Sequence, residues 1–341
     1  MNSGVLPAIN ELDRKAISLL RILAIFSVIT AHVNNVSMVN GTIGWIVACF
    51  WDAFGQVGVV CFFILGGFLY HREVGDGKEF AKKKFISIII PWLLSACLTY
   101  ALSCILNHHI DFIGALKWIM GFGTWYYYVT VFLVFLFLFK AIWRRDGILY
   151  ACMVLTICSI AIYNLIPSIS DQIPLTPYLN IFNWIGFFAL GVIIRKRNLH
   201  TRFNKVGALV VALIVSIFSL VLMFICDSFG YFHLLSVFWE LSAAMILWFI
   251  ASYLAKRKWT GVFVLVGNDT YCIYLFHMQI VQFFAGLLPS GIVFDIAKPF
   301  CGTALMLIIV SFAKKIVCLL PFGSIVCRAV GLKVSPNYKK E

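Results

Sequence analysis

Ten apolar runs, each close to the length of one bilayer crossing, dominate this chain of 341 residues. They fall at approximately 16–38, 43–70, 84–106, 124–142, 147–166, 178–195, 205–226, 232–255, 262–288 and 299–320. A hydrocarbon core of about 30 Å is crossed by about 20 apolar residues in a helix. Inside it each backbone N–H and C=O must be satisfied within its own segment, so single runs of this kind fold as α-helices. The sequence therefore predicts an all-α, polytopic integral membrane bundle of about ten transmembrane helices. Composition agrees, with 62% hydrophobic and only 12% charged residues, against about 25% charged in a soluble domain. Two stretches are irregular. Lys314 and Lys315 interrupt the last run, which is expected to leave the membrane there and continue as an interfacial piece to Arg328. The apolar stretch from Asp111 to Gly123 is short and reads as re-entrant or surface-lying.

The net charge of +13 is carried at helix ends. That pattern reads as topology and contact with anionic lipid, and excludes nucleic acid as a partner because no basic stripe interleaves with aromatic residues. One set of loops takes nearly all the bases, and the opposite set takes only Lys117 and Lys298. The positive-inside rule then puts both termini in the cytoplasm. Residues 1–15 and 321–341 are expected to be cytoplasmic tails flanking one membrane domain over 16–320. The N-terminus lacks an A-x-A-like cleavage site, so the first helix is expected to be a retained signal anchor. The 11 cysteines are scattered through apolar segments without metal-ligand spacing, and no metal is expected.

Inside these runs ionisable residues are few, and a charge at the centre of a spanning helix costs about 2.5–3.5 kcal/mol on insertion scales. Arg21 and His32 share the first run, SLLRILAIFSVITAHV. Eleven residues at 100° each turn the helix about 20° past three full turns, so the two side chains share a face, about 16 Å apart along the axis. Arg21 lies near the cytoplasmic end and His32 in the outer half. The remaining polar inventory includes Asp52, Asn183, Glu240, Asn268, Asp269 and His277, with Trp125, Tyr126, Tyr127 and Tyr128 at the start of the fourth run. The aromatic cluster reads as an interfacial belt or as part of a site. Asp52 and Glu240 read as structural carboxylates or site groups. His277 reads as an interhelical hydrogen-bonding residue or a site residue.

Several of these segments together resemble one family, the membrane-bound acyltransferase-3 group, which acylates bacterial cell-surface glycans. ISLLRILAIFSVITAH is similar to its first helix, with Arg-x10-His at Arg21 and His32. VGVVCFFILGGFLY resembles its FFxxSG segment, KKKFISIIIPWLL its basic run before a helix-three proline, and TWYYYVTVFLVF its aromatic entry to helix four. WIGFFALGVIIRK and NDTYCIYLFHMQIV resemble its Phe/Leu-Gly helix and its late Tyr-Leu-x-His helix, the second placing His277. The resemblance spans about residues 15–320. The chain departs from the pattern at Ser18, where the family commonly has Asp, and at Gly66, where it has Ser. Lys84 and Ser87 stand where it often has an Arg-x-x-Arg pair.

The resemblance implies acetyl transfer from acetyl-CoA to a sugar hydroxyl of a surface polysaccharide or its lipid-linked precursor, in the bacterial inner membrane. His32 is then the general base, and Arg21, with Lys82, Lys83 and Lys84, holds the polyanionic donor. Asp52, Trp125, Tyr126, Glu240 and His277 are the substrate-binding or supporting residues, with Asp52 or Glu240 as candidates to fix the imidazole of His32. The rival readings are a glycan-precursor transporter and a non-catalytic membrane component of polysaccharide export or assembly.

Overall fold

The computed structural model describes residues 9–33, 42–70, 77–166, 176–287, 289 and 291–333. The outer end of the first expected span (34–38) and most of both expected tails (1–8 and 334–341) lie outside them. Among the described residues the chain is helical, without a strand. The helices are α1 (Glu11–Val33), α2 (Ile43–Tyr70), α3 (Gly77–Lys84), α4 (Ile90–Asn107), α5 (Phe112–Met120), α6 (Tyr127–Ile142), α7 (Asp146–Leu165), α8 (Ile185–Lys196), α9 (Leu199–Phe203), α10 (Val206–Cys226), α11 (Leu234–Ala255), α12 (Gly261–Gly267), α13 (Thr270–Leu287), α14 (Ile292–Cys318) and α15 (Gly323–Ala329).

The hub is α1. It packs against α2, α11, α12, α13 and α14, which is why its apolar residues run around the helix instead of along one stripe. With no hydrophobic drive between helices in lipid, close backbone approach and hydrogen bonds hold such a bundle together. Ser27 of α1 donates to the Phe54 carbonyl at 2.6 Å and accepts the Gly58 N–H at 2.7 Å. A side chain at Gly58 would overlap the Ala24 carbonyl. The next contact, α2 on α8, is reciprocal: a Cβ on Gly67 would strike the Phe188 carbonyl, and one on Gly191 the Ile64 carbonyl. The outward faces of α4 and α10 expose Leu98, Leu102, Ile105, Ile214, Ile217 and Phe218, as lipid-facing surfaces do.

Among the described residues, seven helical segments are long and apolar enough to cross a membrane. The other three expected spans are shorter or broken. That at 124–142 keeps a helix only over Tyr127–Ile142, and that at 178–195 enters through a 3-10 turn, Ile181–Asn183, before α8. The run 262–288 is split into α12 and α13 because Asp269 turns its carboxylate to other elements, accepting from Lys314 Nζ at 2.6 Å and the Lys333 N–H at 2.9 Å. α14 runs unbroken past Lys314 and Lys315 to Cys318, with Lys314 paired to Asp269, and a separate α15 follows a turn. Lys298, expected in a loop, is instead buried in α14 against Asp295 at 3.0 Å. The short stretch after Asp111 is α5, whose first N–H groups Asp111 caps. In the first turn of α4, Pro91 brings no N–H, and the turn preceding α4 widens to a π-helix at Phe85–Ile89.

Candidate active site

His32 projects from α1 into a cavity of about 830 Å³. α2 contributes Asp52 and Gln56, α5 Trp118, the turn before α6 Trp125, and α13 Tyr274. Tyr127, Tyr178 and Tyr231 complete an aromatic wall. The Gln56 amide donates to the Gly230 carbonyl and accepts its N–H, 3.2 Å each, which fixes α2 against the turn before α11. Asp52 faces no cation among the described residues. Among the described residues the His32 nitrogens have no hydrogen-bond partner, and neither Asp52 nor Glu240 reaches them; the ring that meets His32 is that of His277, with centroids 5.0 Å apart.

One backbone carbonyl organises the wall on the α13 side. Leu275 O accepts from Ser95 at 3.0 Å, from Trp125 Nε1 at 3.3 Å and from the Tyr126 hydroxyl at 3.4 Å. Tyr126 is fully buried and also bonds Ser95 at 2.7 Å and Thr99 at 3.1 Å. The Tyr274 hydroxyl closes the knot on the Trp125 carbonyl. The chain makes this reversal because Gly121 adopts a left-handed φ of 89° at the end of α5, where a side chain would overlap Tyr127. Tyr126 therefore supports the wall from behind, while Trp125 lines the cavity.

Toward the other end of α1, Arg21 has no hydrogen bond or ion pair among the described residues and lies within electrostatic reach of the Tyr128 hydroxyl and of Lys333. Tyr128 packs edge to face on Tyr274 at 5.2 Å, and Tyr274 packs on His277 at 5.6 Å. Arg21 and His32 are thus joined through one aromatic column on the face that their spacing predicts. Burial and the neighbouring Arg21 lower the pKa of the Lys333 ammonium from its ordinary value, in that order of weight. Lys314 and Lys333 both interact with one carboxylate, Asp269, and Arg21 lies within electrostatic reach of Lys333, which leaves that end of the column cationic.

The remaining expected site residues are dispersed. Lys82 and Lys83 are exposed on α3, with Lys83 paired to Glu79 at 2.9 Å, and Lys84 lies over the Phe80 ring. Glu240 is buried on α11 behind the wall, within electrostatic reach of Tyr127 and Tyr231 but outside the cavity lining. At Gly66 a side chain would overlap the Phe132 ring and crowd Phe188, so aromatic rings fill the space where the resembling pattern has Ser. Gln56, Trp118, Tyr178 and Tyr231 were not distinguished by sequence, because an amide or an aromatic residue inside an apolar run carries no periodic signal. Tyr274 had one, standing three residues before His277 and hence on its face.

A family model for the acyltransferase domain, acyltransferase-3, matches residues 14–314. No curated protein and no solved structure matches the chain. The matched region runs from the start of α1 to Lys314 and takes in Arg21, His32, His277 and the whole cavity lining. The chain belongs to the acyltransferase-3 family of membrane acyltransferases.

Proposed function

We propose that this acyltransferase moves an acetyl group from acetyl-CoA to a sugar hydroxyl of a bacterial surface polysaccharide or its lipid-linked precursor, with His32 as general base. The observation that carries the reading is the position of His32. Its imidazole, with both nitrogens unpartnered among the described residues, opens on a cavity walled by tryptophan and tyrosine and supplied with a carboxylate and an amide. Flat aromatic rings cover the apolar faces of a pyranose, and Asp52 and Gln282 are placed to take its hydroxyls. Neutral His32 takes the hydroxyl proton as the sugar oxygen attacks the thioester carbonyl. The carbon–sulfur bond breaks, the proton passes from the imidazolium to the departing sulfur, and ester and free thiol result.

Arg21 supports a donor that arrives from the opposite end of α1. An unpaired guanidinium beside Lys333 suits a phosphate-rich ligand, and about 16 Å of helix to His32 suits an extended pantetheine arm. In this reading that end faces the cytoplasm, in line with the basic loops, in an inner-membrane protein with both termini cytoplasmic.

The test is mass spectrometry of surface glycans from cells lacking the protein, complemented with wild type or His32→Ala. Loss of an acetyl increment, restored by wild type alone, supports the reading. Unchanged glycan with precursor accumulating inside the cell contradicts it and favours a transporter.

A further inference from the structure

His277 is fully buried, two residues beyond the Leu275 carbonyl that gathers Ser95, Trp125 and Tyr126. Its Nδ1 lies 2.6 Å from the Tyr274 carbonyl. A carbonyl only accepts, so Nδ1 carries the hydrogen. Nε2 is then a bare acceptor, and it is buried without a partner among the described residues. An unpaired buried acceptor has lost its hydration without a replacement partner, so it calls for a donor. The rings in contact with His277 are those of His32, Trp125 and Tyr274. Trp125 Nε1 is committed to the Leu275 carbonyl at 3.3 Å, and the Tyr274 hydroxyl to the Trp125 carbonyl. Among these rings, the N–H of His32 is the donor that remains.

We infer that His277 is a positioning residue for acyl transfer: Nε2 of His277 accepts the N–H of His32, so that the other nitrogen of His32 presents its lone pair to the acceptor hydroxyl. The inference rests on His32 being the general base. It gives His277 the orienting part that a carboxylate plays beside many catalytic histidines, in a cavity whose own carboxylate, Asp52, does not reach His32. The two rings stand 5.0 Å apart at 45°, and a small rotation of His32 closes the bond, as catalytic hydrogen bonds tighten when substrate binds. When His32 takes the substrate proton, the charge is shared with a fixed acceptor. No proton has to leave His277, because its Nδ1–H stays on the Tyr274 carbonyl throughout.

Two conservative variants separate this role from a structural one. Asparagine reproduces the Nδ1 donor to Tyr274 but supplies nothing at Nε2; glutamine places an acceptor where Nε2 was. With wild type, His277→Asn and His277→Gln in lipid nanodiscs, and labelled acetyl-CoA with extracted lipid-linked saccharide as probes, His277→Asn is expected to lower kcat on the order of tenfold to a hundredfold, inside the range a positioned base controls. KM for acetyl-CoA stays the same, and His277→Gln recovers most of the rate. Equal impairment of both variants, or a better rate for His277→Asn, overturns the inference. Nitrogen-15 NMR of histidine-labelled wild type gives a second answer that needs no variant to fold and no turnover. A protonated Nδ1 and a bare Nε2 on His277 support it; a hydrogen on Nε2 overturns it. If wild type transfers no acetyl group, the proposed function fails, and the NMR result still decides the tautomer of His277.

Discussion

Tyr128 and Tyr274 meet edge to face at 5.2 Å, and this contact stands between Arg21 and the cavity that His32 lines. Both rings are buried, and Phe62 packs on each of them. In the proposed reading, a donor anchored at Arg21 carries its acyl group past this partition of buried rings. Replacing Tyr128 with Ala removes one side of it. The variant is expected to use butyryl-CoA at a rate nearer its acetyl-CoA rate than wild type does. Donor competition measured by product mass checks this; an unchanged preference would place the limit on acyl size elsewhere.

The cavity wall makes a separate prediction about the acceptor. Trp125→Ala removes a flat ring while leaving Arg21 and His32 in place. The KM for saccharide is expected to rise about tenfold, equivalent to ~1.4 kcal/mol, with the KM for acetyl-CoA unchanged. Steady-state kinetics with each substrate varied in turn distinguishes the two sides of the partition.

Close helix contacts predict where stability is most sensitive. Gly67→Ala drives a methyl into the Phe188 carbonyl, whereas Gly147→Ala meets nothing within 4 Å. Overpacking of this kind costs about 1–3 kcal/mol. Thermal unfolding in detergent should fall for Gly67→Ala and hold for Gly147→Ala. Gly66→Ser restores the residue of the resembling pattern but overlaps Phe132; it should lower the midpoint as well, and Phe132→Leu should restore it.

His200 gives a pH dependence outside the spans. Burial lowers its pKa from the ordinary 6.5, Arg195 adds to this, and Asp13, with its carboxylate 3.5 Å from Nε2, opposes it. A folded-state value below the unfolded one means that the unfolded chain binds the extra proton, so this contribution is fully present above about pH 6.5 and is lost as pH falls below it. Unfolding midpoints should drop between pH 7 and pH 5, and His200→Phe should flatten that part of the curve.

The membrane class and the shared face of Arg21 and His32 were legible because both follow from helix geometry and the cost of charge in lipid. The segment limits were less so. Asp269 splits one apolar run, and Lys314 lets another continue, through an ion pair between residues 45 apart in sequence, which hydropathy cannot register. The candidate cavity was legible where ionisable residues inside apolar runs mark it, at His32 and Asp52, with His277 meeting the His32 ring. It was not legible where the lining is made of aromatic and amide groups such as Tyr178, Tyr231 and Gln56, which look like ordinary apolar-segment residues until the fold brings them to one wall. Glu240 carried the same signal as Asp52 yet lies behind that wall, because the α11 register turns it toward Tyr127 and Tyr231.

The most direct measurement is transfer of labelled acetyl from acetyl-CoA to extracted lipid-linked saccharide by purified protein in nanodiscs, comparing wild type with His32→Ala at equal abundance and equal unfolding midpoint. The account predicts label in saccharide with wild type and a loss of at least about a hundredfold with His32→Ala. Transfer at the wild-type rate by the alanine variant would remove His32 from the chemistry and contradict the account.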